Sequence, residues 1–220
     1  MLVLIDVRTV FEKNGRAKYI SHLDLNRFMM RVFRRSGLPI WYTEGYNPHP
    51  YLNFALALSL GFESEYEIMD FSLTEGVSFG KIKKSLNDIL PEGIKILYVM
   101  TPQHNIKDIA KSEYSVEYIT DFPSELCGEI YKFLESSEII VEKKTKKGVK
   151  SIDIKPDTEV TDIQTADGKL IFNIKLPAGT QTNLNPMLFT DAFSEFSAVD
   201  FEKGKICRKK ILCADGELFR

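Results

Sequence analysis

The stretch that most constrains the fold runs from Ser21 to Pro39, SHLDLNRFMMRVFRRSGLP. Ser21 followed three residues later by Asp24 is a helix start, with Asp24 standing where a capping box usually carries Glu. Gly37, as a left-handed cap, and Pro39, which cannot continue a helix, supply the stop. The spacing therefore predicts a helix over 21–36. At about 100° per residue, Leu25, Phe28, Met29, Val32 and Phe33 share one side, while Arg27, Arg31, Arg34 and Arg35 share the other. A helix with a single apolar stripe must lay that stripe on a neighbouring layer.

The segments around it are β-prone. Leu2–Phe11 alternates and reads as a strand, and Lys13-Asn14-Gly15 is a turn from which Arg16–Ile20 returns as a strand segment. After the helix come a short extended piece, Trp41–Thr43, and a bend, Glu44–Pro50. Tyr51–Leu60 and Glu65–Leu73 read as a hairpin around Gly61, Val77–Leu90 as a second amphipathic helix capped by Ser78, and Ile94–Met100 as a closing strand. That order, βαββαβ, is the ferredoxin-like split unit: an antiparallel sheet with both helices on one face. Thr101–Lys111 is a polar connector. Beyond it the order recurs: strand Tyr114–Ile119, helix Pro123–Glu135, strands Ile139–Lys144 and Val149–Ile154, strand Lys169–Leu176, helix Pro186–Phe196, strand Lys205–Leu212. Lys155–Ala166 reads as an insertion. The expected class is α+β, with tandem ferredoxin-like domains over 1–101 and 113–220 joined by a connector at 102–112.

Charge points to function through local patches, because the net charge is only −2. The four helix arginines have no Glu at i±4, and Asp24 and Glu44 are the only acids between Arg16 and Pro50. Arginine's planar fork grips phosphate in a bidentate way. The stripe thus reads as a phosphate site, with Lys18 and His22 beside it; the alternative is a solvated face paired with carboxylates elsewhere. The bend EGYNPHP is stiffened by Pro48 and Pro50 and displays Tyr46, Asn47 and His49, as donors and a stacking ring or as a plain connection. His22, in the first helical turn, and His49 are the candidate proton-transfer groups. Lys143, Lys144, Lys146, Lys147 and Lys150 crowd a hairpin tip, and Arg208, Lys209 and Lys210 lie on the last strand; lysines at such edges also block pairing.

Several classes are excluded. Three scattered cysteines without a CxxC read as reduced thiols rather than disulfides, zinc or an iron–sulfur cluster. Asp6 and Arg8 interrupt the apolar start, unlike a signal peptide. No run reaches the roughly 18 apolar residues of a membrane span. A cytoplasmic protein is expected, with no membrane partner, cofactor or metal. Walker, GxGxxG, HExxH and GxSxG motifs do not occur.

The blocks SHLDL (Ser21–Leu25), RRSGLP (Arg34–Pro39) and GYNPHP (Gly45–Pro50), with IDIKP (Ile152–Pro156) and RKKILCADG (Arg208–Gly216), carry a resemblance. They are similar to a bacterial family of unknown function whose members are fused to, or encoded beside, radical SAM proteins. The resemblance implies a radical SAM partner and no activity, since this chain has no CxxxCxxC to hold that cluster. The leading reading is a non-catalytic RNA-binding companion that presents RNA, such as tRNA or rRNA, to a radical SAM modification enzyme. Lys18, His22, Arg27, Arg31, Arg34, Arg35, Asn47 and His49 would hold the RNA, with Tyr46 or Tyr42 stacking on a base. Two alternatives stay open. Tandem ferredoxin-like domains with a basic first helix also resemble the CRISPR repeat-processing endonucleases, which would make His22 and His49 the acid–base groups of a metal-independent ribonuclease. A protein–protein adaptor, docking the stripe on an acidic partner, is the third reading.

Overall fold

The structure, a computed structural model, describes residues 3–145, 148–180 and 182–220. Two compact units divide the chain: Met1–Asp108 with Leu218–Arg220, and Ile109–Glu217. The class is mixed α+β with antiparallel strand pairing and, among the described residues, four α-helices.

In the first unit the order is β1 (Ile5–Lys13), α1 (His22–Arg35), β2 (Leu52–Phe54), β3 (Glu63–Leu73), α2 (Phe79–Asn87) and β4 (Ile94–Met100). β1 pairs with both β4 and β3, and β2 pairs with β3, all antiparallel. Alternation decides what covers each face. Val7, Met69, Phe71 and Leu73 share one core with Leu25, Met29, Val32 and Phe33 of α1 and Ile82 and Leu86 of α2. Both helices therefore cover the same side of the sheet. The next residues along the strands, Asp6 and Arg8 on β1 and Asp70 and Ser72 on β3, face the opposite side.

The caps of α1 set its limits. The Ser21 hydroxyl accepts from the Asp24 N–H at 3.1 Å and donates to the Asp24 carboxylate at 2.7 Å. At the other end Gly37 takes φ +67°, the left-handed conformation a glycine adopts without strain. Asn87 fastens α2 to β4, donating to the Ile96 carbonyl at 3.0 Å and accepting from its N–H at 2.8 Å.

Three expectations need correction here. Arg16–Ile20 is not a strand: Gly15–Tyr19 forms a 3₁₀ turn whose Ala17 is buried beneath Gly93. A Cβ at Gly93 would come within 2.5 Å of the Asn14 carbonyl, so this turn can close only over glycine. The strand expected over Tyr51–Leu60 shrinks to Leu52–Phe54. The second helix begins at Phe79 and ends at Asn87, inside the expected 77–90.

The second unit runs β5 (Ile109–Ile119), α3 (Pro123–Glu135), β6 (Ile140–Thr145), β7 (Gly148–Asp153), β8 (Glu159–Ala166), β9 (Lys169–Pro177), α4 (Pro186–Phe196) and β10 (Glu202–Cys213). Its sheet has the order β10-β5-β9-β8, and β6 pairs with β7 in a separate ladder. Residues 155–166, expected as an insertion, supply the edge strand β8, whereas the lysine hairpin expected within the sheet is the inserted part. β5 starts at Ile109, so residues 109–112 of the expected connector are strand. Arg208 is not a surface cation either: it is buried, donating to the Tyr114 hydroxyl at 3.2 Å. Lys210 pairs with Glu113 at 2.9 Å. Of the tip lysines, Lys146 and Lys147 lie outside the described residues, and Lys143 donates to the Asn183 carbonyl.

Aromatic side chains build the core of this unit. Phe133 of α3 meets Phe189 and Phe193 of α4, and Phe172 of β9 meets Phe189 and Tyr118 of β5. Tyr118 is wholly buried, and its hydroxyl finds no partner among the described residues. Burial first, and then the charge of Asp191, push its pKa far up, so it stays neutral. A buried hydroxyl without a hydrogen bond weakens the fold. Tyr118→Phe is expected to stabilise the protein by about 1 kcal/mol, seen as a melting temperature higher by several degrees in a thermal scan. A lower melting temperature would mean that the hydroxyl is satisfied in solution.

Candidate functional site

The basic stripe lies where the helical periodicity puts it. Arg27, Arg31, Arg34 and Arg35 are all exposed, while Leu25, Met29, Val32 and Phe33 are buried. Arg27 makes an exposed i,i+3 pair with Asp24 at 3.7 Å, a contact of little energetic weight. Among the described residues no carboxylate lies within ion-pair distance of Arg31, Arg34 or Arg35. These three occupy the last turns of α1, where the negative end of the helix dipole favours cations. One cation would serve that purpose, and three clustered guanidinium groups exceed it. Lys18 is half-buried, 3.8 Å from Glu63 and 5.3 Å from the Tyr19 ring centroid, and so is less available than the helix arginines.

The bend is built around His49. Its N–H donates to the Thr43 hydroxyl at 3.2 Å, and its Nδ1 sits 3.1 Å from that hydroxyl and 3.0 Å from the Asn47 carbonyl. A carbonyl only accepts, so the proton is assigned to Nδ1 and the lone pair to Nε2. Gly45 takes φ +116°, and Tyr42 bridges Pro50. The closed loop leaves Tyr46 wholly exposed and Asn47 exposed beside it. His22 packs edge-on against Phe54 with ring centroids 5.3 Å apart. Among the described residues no hydrogen bond joins His22 to His49.

A second constellation, on the opposite side of the sheet, escaped the sequence reading. Register places Arg8, Asp70 and Asn53 in one row across β1, β3 and β2, and Asp6 opposite Ser72 in the next row. Arg8 is 1% exposed. Its Nε and Nη2 donate to the two Asp70 oxygens at 2.7 Å each, and its Nη1 donates to the carbonyls of His104 at 3.1 Å and Arg220 at 2.7 Å. The Phe219 ring lies 4.4 Å from the guanidinium carbon. His104 accepts the Arg220 N–H on Nδ1, so its proton is assigned to Nε2. Over these rows opens a cavity of about 310 Å³, lined by Asp6, Tyr51, Asn53, Ser72, His104 and Asn105 among others.

Cys127, Cys207 and Cys213 are free thiols. Among the described residues no His, Cys, Asp and Glu cluster is placed to hold a metal ion, and no helix is long and apolar enough to cross a membrane.

Comparison with known proteins adds a family and a fold. The family described as "uncharacterized protein conserved in bacteria (DUF2344)" matches residues 7–186. No curated protein matches the chain. A solved chain of a Cbf5-Nop10-Gar1 complex is similar at 11% identity with a TM-score of 0.50, over 92% of this chain and 48% of that one. This chain thus spans about half the length of the chain it matches, and the likeness is one of fold alone.

The buried pair makes a sharp test of the first unit. Arg8→Met strands the Asp70 carboxylate and two carbonyls, and is expected to lower the unfolding free energy by about 3 kcal/mol in urea titration. Arg8→Met/Asp70→Leu should recover most of that loss, because no charge is then left unpaired. A double variant no better than the single one would locate the loss in packing instead.

Proposed function

The chain belongs to DUF2344, a bacterial family, and on that premise we propose that it is a cytoplasmic RNA-binding companion of a modification enzyme, without catalysis of its own. The observation that carries this reading is the cluster of Arg31, Arg34 and Arg35, exposed and without a carboxylate partner among the described residues. Guanidinium groups spaced along a helix meet successive phosphates, which fixes position and supplies affinity independent of sequence. The bend adds Tyr46, a ring with nothing packed on it, suited to stack on an unpaired base. Asn47 beside it offers an amide to phosphate or base edge. The partner is a radical SAM protein, as the sequence resemblance implies. We also read the two strand orders, β4-β1-β3 with β2 beside β3 and β10-β5-β9-β8, as tandem ferredoxin-like units.

Fluorescence anisotropy with single-stranded and hairpin RNA over a salt series tests the reading. Arg31→Glu is expected to weaken binding and to lower the slope of log affinity against log salt by roughly 0.7 or more. The melting temperature should hardly move, since the side chain is exposed. Absence of affinity at low salt would give the stripe to an acidic protein surface. RNA cleaved in EDTA by the wild type but not by His22→Ala would replace a binding role with ribonuclease chemistry.

A further inference from the structure

We propose that the cavity on the helix-free side of the first unit is a pocket for a guanine base, a proposal that rests on the RNA reading above. Three observations define what it accepts. The first is charge. Arg8 is already engaged by Asp70 and two carbonyls, so the cavity presents no free cation to an anion. Asp6 supplies an uncompensated negative charge: one of its oxygens accepts from the Ser72 hydroxyl at 2.7 Å, and the other has no partner among the described residues. Asp6 is exposed, so its charge disfavours a phosphate at close range only, and a neutral or cationic hydrogen-bond donor is favoured.

The second observation is the pattern of donors and acceptors. Asn53 shares a row with Asp70, and its amide makes no side-chain hydrogen bond among the described residues, leaving a donor and an acceptor open. An ammonium or guanidinium carries donors only, so it would leave the exposed Asn53 NH2 to water, whereas a ligand with both a donor and an acceptor uses both groups. A lactam edge answers both residues, its N–H to a carboxylate and its carbonyl to an amide. Guanine presents that edge and adds an exocyclic amine, so two of its donors converge on one carboxylate. Tyr51 stands at the rim, held by the Trp41 ring at 5.3 Å between centroids, and offers a face for stacking. The volume of about 310 Å³ lies at the small end of ligand pockets, enough for one bicyclic base.

The third is position. Ile40, five residues beyond Arg35, bridges Leu73, which is the register partner of Ile5. The Trp41 N–H donates to the Ser72 carbonyl at 2.9 Å, and the Tyr51 N–H to the Trp41 carbonyl at 3.0 Å. The segment that leaves α1 thus reaches the Ser72 end of the Asp6–Ser72 row, while the arginines stay on the exposed face of α1, on the other side of the sheet from the cavity. A strand whose phosphates lie on Arg31, Arg34 and Arg35 would have to round the bend at the sheet's edge to bring a base to the cavity. The Arg8–Asp70 pair forms a rigid floor that keeps the acceptors in place before any ligand arrives.

Guanosine, which carries no phosphate, separates the pocket from the stripe. In a titration followed by amide NMR, guanosine should shift Asp6, Asn53 and Ser72 in a manner insensitive to salt, and adenosine should not. Inosine, which lacks the exocyclic amine, and uridine, which keeps only the lactam edge, should bind about tenfold more weakly. Asp6→Asn should weaken guanosine by a similar factor with the fold intact, and Asn53→Ala should do so independently. In anisotropy, a single-stranded RNA with one guanine should outbind its inosine counterpart, and Asp6→Asn should erase that preference. Equal shifts with adenosine, indifference to Asp6→Asn, or occupation by free arginine in place of guanosine would overturn the proposal; the last would assign the cavity to a partner's side chain. RNA bound without guanine preference would sink the pocket and leave the RNA reading standing. Guanosine bound while no RNA binds would do the reverse.

Discussion

Arg8 sits at the centre of the first unit under a constraint that little else in the chain faces. A guanidinium that is 1% exposed cannot shed its proton, so its charge must be met in place. Asp70, its register partner on β3, meets it with both oxygens, and two backbone carbonyls take further donors. This geometry holds only if β1 and β3 keep their register, since a slip of one residue would turn Arg8 onto the helix side. It also draws His104 and Phe219–Arg220, far apart in sequence, into the same unit. The next pair along this side, Val10 and Ile68, is buried and apolar, so the side mixes an apolar patch with polar groups arranged around the Arg8–Asp70 pair.

The two units solve the same layering problem with different materials. In the first, aliphatic and aromatic residues face α1 and α2, and the reverse side combines the Arg8–Asp70 pair with the buried Val10 and Ile68. In the second, rings dominate: Phe133, Phe172, Phe189, Phe193 and Tyr118 form a continuous aromatic contact between α3, α4 and the sheet. That unit also buries polar groups, Thr190 and Arg208 among them. The ring cluster serves packing, whereas the first unit's cavity, lined by Asp6, Asn53 and Ser72, offers directional bonds.

What could be read in advance followed from signals carried by single elements. The limits of α1 were legible because Ser21, Asp24 and Gly37 each fix one backbone conformation, and Ile94–Met100 because a compact β-prone run has no other reading. The exposed arginines followed from angular spacing alone. β8 was not legible: Glu159–Ala166 has few apolar residues, Asp162 breaks its ladder at φ +55°, and it is a strand because β9 offers an edge. Arg16–Ile20 misled because alternation over five residues cannot be told from a 3₁₀ turn closed by Gly15. The cavity was hidden for a different reason. Asp6 and Arg8 look like the ordinary polar half of an alternating strand, and only the pairing of three strands shows that Asp70, Ser72 and Asn53 stand beside them.

If the stripe holds RNA and the cavity takes a base, as proposed, the two surfaces of the first unit divide recognition into parts that neither could perform alone. Arginines acting through phosphate contribute affinity that every RNA shares, and that affinity falls as salt rises. With a net charge of −2, the rest of the chain does not spread such attraction over the whole surface, so the stripe acts as a local track. A track without a reader would hold any strand in any register. A polar cavity without a track would see only the weak binding of one base, since the loss of freedom on capture offsets most of a few hydrogen bonds. On that proposal the two would work in sequence: charge would raise the local concentration of bases, and the carboxylate of Asp6 would select among them. Selection would then be needed only at short range, within reach of the Asp6 oxygen that Ser72 leaves open and of the Asn53 amide.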